Sequence, residues 1–226
     1  MSIDLHELIK NDLFILPKNS AGGTENWEHC IKEEKKNGEM NLTVIMSKEF
    51  PRIDLPPKSI FFLKNQNCAD AAIWEHIDGK RYRLHLFEMK RAMKPTEWQH
   101  VKMQFNGAYL RCRIIAGLLN LEIDNCIVLY SVFHNDKFQN PPIEYTEPVL
   151  ERVPVDVNTA IEKTEWESDK CNIFINGCPA HFGKLTLQHK KIHLKELNSE
   201  NIPSGEFYLL EMSNQNRNNS LGISQN

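Results

Sequence analysis

Two apolar stretches in the first half of the chain alternate with period two and are separated by a tight-turn dipeptide. They cover Ala69–His76 and Lys80–Lys90, with Asp78-Gly79 between them. Asp-Gly at such a junction favours a two-residue turn, so the pattern predicts a β-hairpin. One face of its second strand holds alternate residues, namely Tyr82, Leu84, Leu86, Glu88 and Lys90. An otherwise apolar face therefore ends in a carboxylate and an amine, which need either a mutual ion pair or a function.

Beyond the hairpin, apolar residues recur at helical spacing. Pro95 and Thr96 are typical of a helix start, and Gln99 would complete a capping box with Thr96. The apolar positions are Trp98, Val101, Phe105, Ala108, Tyr109, Cys112, Ile115, Ala116 and Leu119. Their spacing predicts a long amphipathic helix. The apolar run Cys126–Phe133 after it predicts a buried strand.

The region before the hairpin is expected to hold a helix and a strand. Thr24 as N-cap and Gly38 as a stop signal predict a helix over Glu25–Lys36. Asn41–Met46 is predicted to be a short strand, and prolines precede a second apolar stretch at Ile60–Leu63. Taken with the hairpin, this order predicts a mixed α/β sheet whose faces are covered by helices.

The chain changes character after about residue 138, where four prolines precede further short strands. The predicted strands are Cys171–Ile175, Lys184–His189 and Glu206–Glu211. We expect a core domain over residues 1–137 and a β-rich C-terminal appendage over 138–212, which can bind a partner or nucleic acid. The Asn-, Ser- and Gln-rich end, residues 213–226, is predicted to be a disordered tail.

Composition narrows the function classes only slightly. The chain has 226 residues, 41% hydrophobic and 25% charged, with a net charge of -3. These values are typical of a globular protein, and nucleic-acid binding would have to rely on local basic patches. No apolar run approaches the roughly 20 residues that span a bilayer. The N-terminus lacks the apolar core of a signal peptide, and the six cysteines are scattered. We therefore expect a cytoplasmic protein with reduced thiols.

The candidate chemistry lies at the hairpin. Glu-x-Lys occurs three times in the chain, but only Glu88-Met89-Lys90 ends a strand and precedes a long helix. Together with Asp70 on the partner strand, this arrangement resembles the PD-(D/E)xK nuclease superfamily. The resemblance covers residues 24–133, roughly half of the chain. It implies a restriction-endonuclease-like fold with an αβββαβ core. Ala69 stands where many members have proline.

The resemblance implies a role for each matching residue. Asp70, Glu88 and the backbone carbonyl of Met89 would bind Mg²⁺ or Mn²⁺, which prefer oxygen ligands. Lys90 would orient and activate the attacking water. An acid of the first helix would join the site, with Glu28 preferred and Glu25 or Glu34 as alternatives, and Gln104 would lie near it. The nucleic-acid backbone would be contacted by four basic residues, namely Arg91, Lys94, Lys102 and Arg111.

The function implied by this resemblance is hydrolysis of phosphodiester bonds, in DNA rather than RNA, by endonuclease or exonuclease action. By analogy we expect the chain to be the nuclease subunit of a larger anti-phage defence or restriction-like complex with a protein partner such as an ATPase or helicase subunit. Two alternatives remain. The protein can be a non-catalytic subunit that keeps the fold and binds a partner, or Glu88 and Lys90 can form a purely structural ion pair.

A second set of residues has spacings that a zinc site can use. It comprises Cys171, Cys178, His181, His189 and His193. Several lysines surround these histidines, which favours a solvated basic strand or helix over a zinc site. The same basic segment, Lys184–Lys195, can instead contact nucleic acid. The sequence contains no P-loop, dinucleotide-binding or Gly-x-Ser-x-Gly motif.

Overall fold

The computed structural model describes residues 14–19, 26–35, 38–54, 67–138, 163–174 and 184–209. These residues form a mixed α/β fold with two sheets. The strands are β1 (Lys18–Asn19), β2 (Trp27–Lys35), β3 (Gly38–Met46), β4 (Arg52–Asp54), β5 (Ala71–Asp78), β6 (Arg81–Met93), β7 (Glu122–Ile123), β8 (Val128–Asp136), β9 (Lys170–Phe174), β10 (Lys184–His193), β11 (Glu196–Leu197) and β12 (Pro203–Leu209). Helix α1 covers Pro95–Leu119, and a short helical segment covers residues 163–167. The predicted apolar stretch at 60–63 and the predicted tail at 213–226 lie outside the described residues.

The first sheet is built around the predicted hairpin. Its strand order is β4-β5-β6-β8-β10-β9, and β7 pairs with β6. β4, β5 and β6 form an antiparallel meander, whereas β6, β8 and β10 are parallel neighbours. Gly79 in the hairpin turn has a φ of 51°, which glycine adopts without steric cost. The predicted hairpin and the strand after the helix are therefore confirmed.

Helix α1 is the crossover that the parallel neighbours β6 and β8 require. Pro95 lies at its first turn, as predicted, because the missing N–H costs nothing there. The N-cap is Lys94, whose side chain makes no capping hydrogen bond. The capping box predicted from Thr96 and Gln99 is therefore wrong. Asn120 ends the helix in the left-handed conformation.

The second sheet has the order β1-β2-β3-β12-β11. Its strand β2 occupies the region where a helix over residues 25–36 was predicted, so that prediction is wrong. β2 pairs with β3 through nine residue pairs, and burial along it alternates, with His29, Ile31 and Glu33 inside and Cys30 and Lys32 exposed. Pairing with β3 outweighed a weak local preference for helix. The predicted strand at 41–46 is present within β3, but it belongs to the second sheet and not to the sheet that contains the hairpin.

The two faces of the first sheet are covered by different layers. Leu84 and Leu86 of β6 pack in one core with residues of α1 such as Trp98. Phe87 and Met89 of the same strand face a second core, shared with strands of the second sheet. In the described part of the chain, a sheet rather than a helix therefore covers this second face, and the prediction of helices on both faces is wrong there.

The C-terminal segment belongs to both sheets. β10 pairs with β8 in parallel over six residue pairs, and β9 pairs with β10. β12 joins the second sheet beside β3, and β11 pairs with β12. All three strands predicted in this segment are thus present. A separate appendage from residue 138 is wrong for the described residues, because their apolar faces complete the two cores.

Candidate functional site

Glu88 and Lys90 lie on the α1 face of β6, as the alternation predicted. The side chain of Glu88 is fully buried and that of Lys90 is 9% exposed. Lys90 Nζ donates to Glu88 Oε1 and lies 3.4 Å from the carbonyl oxygen of Met89. The strand continues to Met93, so the pair lies inside β6 rather than at its end. Charges at this depth need partners, and each of these two groups supplies one for the other.

Asp70 lies beside the Glu88–Lys90 segment. It directly precedes β5, whose first residue, Ala71, pairs with Phe87. One oxygen of Asp70, Oδ2, accepts a hydrogen bond of 2.7 Å from the backbone N–H of Met89. The carboxylate thus takes the place that a strand carbonyl would occupy next in the ladder. Hydrogen bonds to a charged acceptor are among the stronger ones in proteins, so this bond ties Asp70 to β6.

Gln104 of α1 reaches the same place, as predicted. Its Nε2 donates a hydrogen bond of 3.2 Å to the carbonyl oxygen of Cys68, two residues before Asp70. Its Oε1 is buried and has no hydrogen-bond partner among the described residues. A buried amide oxygen without a partner calls for an explanation, and such oxygens are good ligands for hard cations.

The thiol of Cys68 lies close to these charges. Its pKa is raised to about 11, mainly by burial, while Arg111 lowers it and Glu88 and Asp70 raise it further. The thiol is therefore protonated at neutral pH and is a poor nucleophile.

Glu28 does not join this group. It lies in β2, on the same side as the exposed residues Cys30 and Lys32, while Ile31 points into the core between the sheets. Glu28 therefore lies on the outer face of the second sheet, and Glu88 points to the other side of the first sheet. The structure does not bring these two acids together. Of the alternatives, residue 25 and the side chain at position 34 are outside the described part.

Two of the four predicted nucleic-acid contacts, Arg111 and Lys102, are engaged within the fold. Arg111 is 1% exposed and donates a hydrogen bond of 2.7 Å to the carbonyl oxygen of Asn67. Lys102 forms an ion pair of 2.5 Å with Glu165 and lies over the ring of Trp98. Tertiary contacts therefore hold both side chains. Arg91 and Lys94 are exposed and follow Lys90 in the chain.

The sequence did not reveal a buried serine–histidine pair beside Glu88. Ser131 of β8 is the cross-strand partner of Glu88, and its Oγ lies 2.9 Å from His189 Nε2. The ring of His189 packs against both Trp98 and Trp166, at centroid distances of 4.8 and 5.5 Å. Burial lowers the pKa of His189 to about 4, so it is neutral at pH 7. Residues 131 and 189 meet only because β8 and β10 are parallel neighbours, so no local signal pointed to the pair.

The described members of the predicted zinc set are engaged elsewhere. Cys171 packs in the core on the α1 side, and His189 contacts Ser131. The Nε2 of His193 lies 2.6 Å from the carbonyl oxygen of His134. Residues 178 and 181 lie outside the described part. Within it, no group of three or more His, Cys, Asp or Glu side chains is arranged to hold a metal ion. The alternative of a lysine-rich strand agrees with β10.

A second buried polar cluster lies near the hairpin turn, on the opposite sheet face. Glu75 Oε2 accepts from Arg83 Nη1 at 3.0 Å and lies 2.8 Å from His85 Nε2. His85 Nδ1 lies 3.1 Å from the hydroxyl of Tyr130. Burial lowers the pKa of His85. The side chains of this cluster bond mainly to one another, which is typical of a structural network.

No protein-family model, no curated protein and no solved structure matches this chain. Among the described residues, no helix has the length and apolar character needed to cross a membrane.

Proposed function

We propose that this protein is a metal-dependent nuclease of the PD-(D/E)xK type that hydrolyses phosphodiester bonds, DNA being the favoured substrate. The observation that carries the proposal is the single cluster formed by Asp70, Glu88, Met89 and Lys90, with Gln104 bound to the same loop. These residues come from the start of β5, from β6 and from α1. A cluster of these residue types at these positions is more specific evidence for this kind of site than the Glu-x-Lys tripeptide alone.

The order of elements supports the proposal further. An antiparallel meander, a crossover helix and a parallel strand follow each other in β4, β5, β6, α1 and β8. This order is what we expect of the βββαβ part of a restriction-endonuclease-like core. The first helix of that core has no counterpart in the described residues, where β2 and β3 cover the corresponding face.

The donor set fits a hard divalent cation. Asp70 and Glu88 offer carboxylate oxygens, Met89 a carbonyl oxygen, and Gln104 a buried amide oxygen without a partner among the described residues. An ionised carboxylate can accept about four hydrogen bonds, and the Met89 amide uses one position on Asp70. A Mg²⁺ or Mn²⁺ ion held by these oxygens would supply a more acidic water and neutralise charge on the phosphate. Water would provide the remaining ligands.

Lys90 performs two tasks in this proposal. Its ammonium neutralises Glu88 in the buried site, as the ion pair indicates. When substrate enters, the same ammonium can donate to the attacking water or to a phosphoryl oxygen and stabilise developing negative charge. The attraction between an ammonium and a phosphate is stronger in a buried site than in water. Arg91 and Lys94, exposed just beyond it, are the proposed contacts to the phosphate backbone.

The proposal extends to the assembly in which the nuclease acts. We keep the expectation of a larger anti-phage or restriction-like complex with an ATPase or helicase subunit as partner, supported by the absence of an ATPase motif in this chain. The alternative, a non-catalytic subunit, predicts that the carboxylates and Lys90 can be replaced without loss of function of the complex.

The test is cleavage of supercoiled and linear DNA by purified protein with Mg²⁺ or Mn²⁺. Wild type is compared with Asp70→Asn, Glu88→Gln and Lys90→Met, and with Asp78→Asn as the matched control at the exposed turn of the same hairpin. We expect each site variant to lose at least about a thousandfold in rate, the scale of removing one electrostatic contact in a transition state. Asp78→Asn should cleave as wild type does. Equal behaviour of all five proteins, with or without the natural partner, would favour the non-catalytic alternative.

A further inference from the structure

Three residues on one face of α1 contact the chain segment that leads into Asp70. Gln104, Gly107 and Arg111 are three and four residues apart, which places them in a row along the helix. Gln104 Nε2 donates to the carbonyl oxygen of Cys68, and Arg111 Nη1 donates to that of Asn67. Two consecutive carbonyls of the segment are therefore bound by the helix.

Gly107 lies where the segment comes closest to α1. A methyl group built at this position would stand 1.8 Å from the carbonyl oxygen of Asn67 and 3.2 Å from Arg111 Nη1. Contacts below 3 Å do not occur between real atoms of these types, so a side chain here would force the backbone of Asn67 away. The absence of a side chain at 107 is what allows the approach.

Arg111 acts at the same point. Its guanidinium is 1% exposed and makes a bond of 2.7 Å to Asn67. A buried guanidinium is costly unless it is hydrogen-bonded, so the carbonyl of Asn67 and the helix are strongly coupled. Cys68 and Ala69, the next residues, are also buried, with exposures of 8% and 0%. The segment therefore has little freedom between its attachment at Asn67 and Asp70.

We propose that Gly107 and Arg111 are positioning residues, which hold the Asn67–Cys68 segment against α1 and thereby set the Asp70 carboxylate on the Met89 amide, ready for a cation. Asp70 lies three positions after Asn67 in the chain, a span of at most about 10 Å. A shift at Asn67 therefore reaches the carboxylate. The cation part of this inference rests on the proposed function, whereas the placement of Asp70 does not.

The first test needs no metal. Amide hydrogen exchange of Met89, measured by NMR, reports the bond from its N–H to Asp70 Oδ2. In Gly107→Ala we expect exchange at Met89 to be at least about tenfold faster than in wild type, while other amides of β6 and β8 keep their protection. Asp70→Asn gives the exchange rate of the Met89 amide when its hydrogen bond to residue 70 is weakened. Gly117→Ala is the matched control, because a methyl group on the same helix there meets nothing within 4 Å.

A second pair of variants tests the same idea if Gly107→Ala does not fold. Arg111→Lys keeps the charge but loses the planar fork that reaches Asn67, and should also speed exchange at Met89. Arg113→Lys, two residues along and exposed, should leave it unchanged. Wild-type protection of Met89 in folded Gly107→Ala or Arg111→Lys would overturn the inference. So would faster exchange spread evenly over β6 and β8, because the role would then be general stability.

Binding of Mn²⁺, followed by the loss of its free EPR signal, separates this inference from the proposed function. We expect wild type and Gly117→Ala to bind alike, and Gly107→Ala and Arg111→Lys at least about tenfold more weakly, as when a group that orients a metal ligand is lost. If Gly107→Ala binds as wild type does, the positioning of a cation ligand is overturned. If wild type binds no better than Asp70→Asn, the metal site and the proposed function fail. The exchange at Met89 would still decide whether α1 positions Asp70.

Discussion

The hairpin of β5 and β6 carries two buried polar clusters, at opposite ends and on opposite faces. Near the turn, Glu75 bonds to Arg83 and His85, and His85 to Tyr130. At the other end, Asp70 binds a backbone amide, Glu88 pairs with Lys90, and Gln104 keeps a buried oxygen without a partner among the described residues. The side chains of the first cluster bond to one another, whereas the second keeps a buried oxygen, Gln104 Oε1, that no described residue binds. Burial of charge alone thus does not identify a functional site.

The largest effect separating the two clusters is expected for Glu75→Gln. This change leaves Arg83 buried without its main charge partner, which should cost about 3 kcal/mol of unfolding free energy. Urea denaturation followed by circular dichroism measures it. DNA cleavage per folded molecule should remain as in wild type. Glu88→Gln likewise removes the carboxylate partner of a buried cation and should cost a similar amount of stability, but here cleavage per folded molecule should be lost. Loss of cleavage in both variants would contradict the distinction.

The next prediction concerns the pH dependence of the free energy of unfolding. Burial lowers the pKa of His189, beside the Glu88 cluster, and of His29 to about 4. The unfolded chain therefore binds more protons than the folded one between about pH 6.5 and pH 4, so stability falls as the pH falls through this window. Each histidine should contribute a loss of about 2 kcal/mol by pH 5.

Urea unfolding at pH 7, 6 and 5 tests this. His189→Gln should be less stable than wild type at pH 7, because its contacts with Ser131 and the two tryptophan rings change. Its stability should decline less steeply toward pH 5, since one proton-binding group is gone. Parallel declines in wild type and variant would show that His189 does not control this dependence.

The smallest expected contrast compares Tyr130→Phe with Gln104→Met. Tyr130→Phe removes one buried hydrogen bond to His85 and should cost about 1 kcal/mol, with no change in metal dependence. Gln104→Met removes a buried oxygen that has no partner in the described part of the chain, and with it the hydrogen bond from Nε2 to the Cys68 carbonyl, so it should also cost about 1 kcal/mol. The Mg²⁺ concentration needed for half-maximal cleavage should nevertheless rise. If Tyr130→Phe raised it equally, the two clusters would not be functionally separate.

The local sequence pattern correctly predicted features that depend on a single strand or helix. The period-two run through Leu84 and Leu86 predicted both the strand β6 and the shared face of Glu88 and Lys90. The helical spacing after Pro95 predicted α1. Such patterns work because side-chain direction within one strand or helix depends only on its own geometry.

Where several elements meet, the local pattern was insufficient. A helix was predicted over residues 25–36, but Trp27–Lys35 pairs with β3, and Glu28 therefore lies on the outer face of the second sheet. Arg111 looked solvent-exposed on a helix face, yet its guanidinium is buried on Asn67. The C-terminal strands were expected to form an appendage, but they extend both sheets. Each outcome depends on a partner distant in sequence.

The sequence by itself determined the hairpin, the long helix, and the identity and common face of Glu88 and Lys90. Only the tertiary structure decided which groups surround them: the Asp70 carboxylate on the Met89 amide, the contacts of α1 with Asn67 and Cys68, and the Ser131–His189 pair on the adjoining strands. The reason is physical. Periodicity specifies a direction within one element, whereas strand register and helix docking, which bring distant residues within bonding distance, arise from the burial of all elements together.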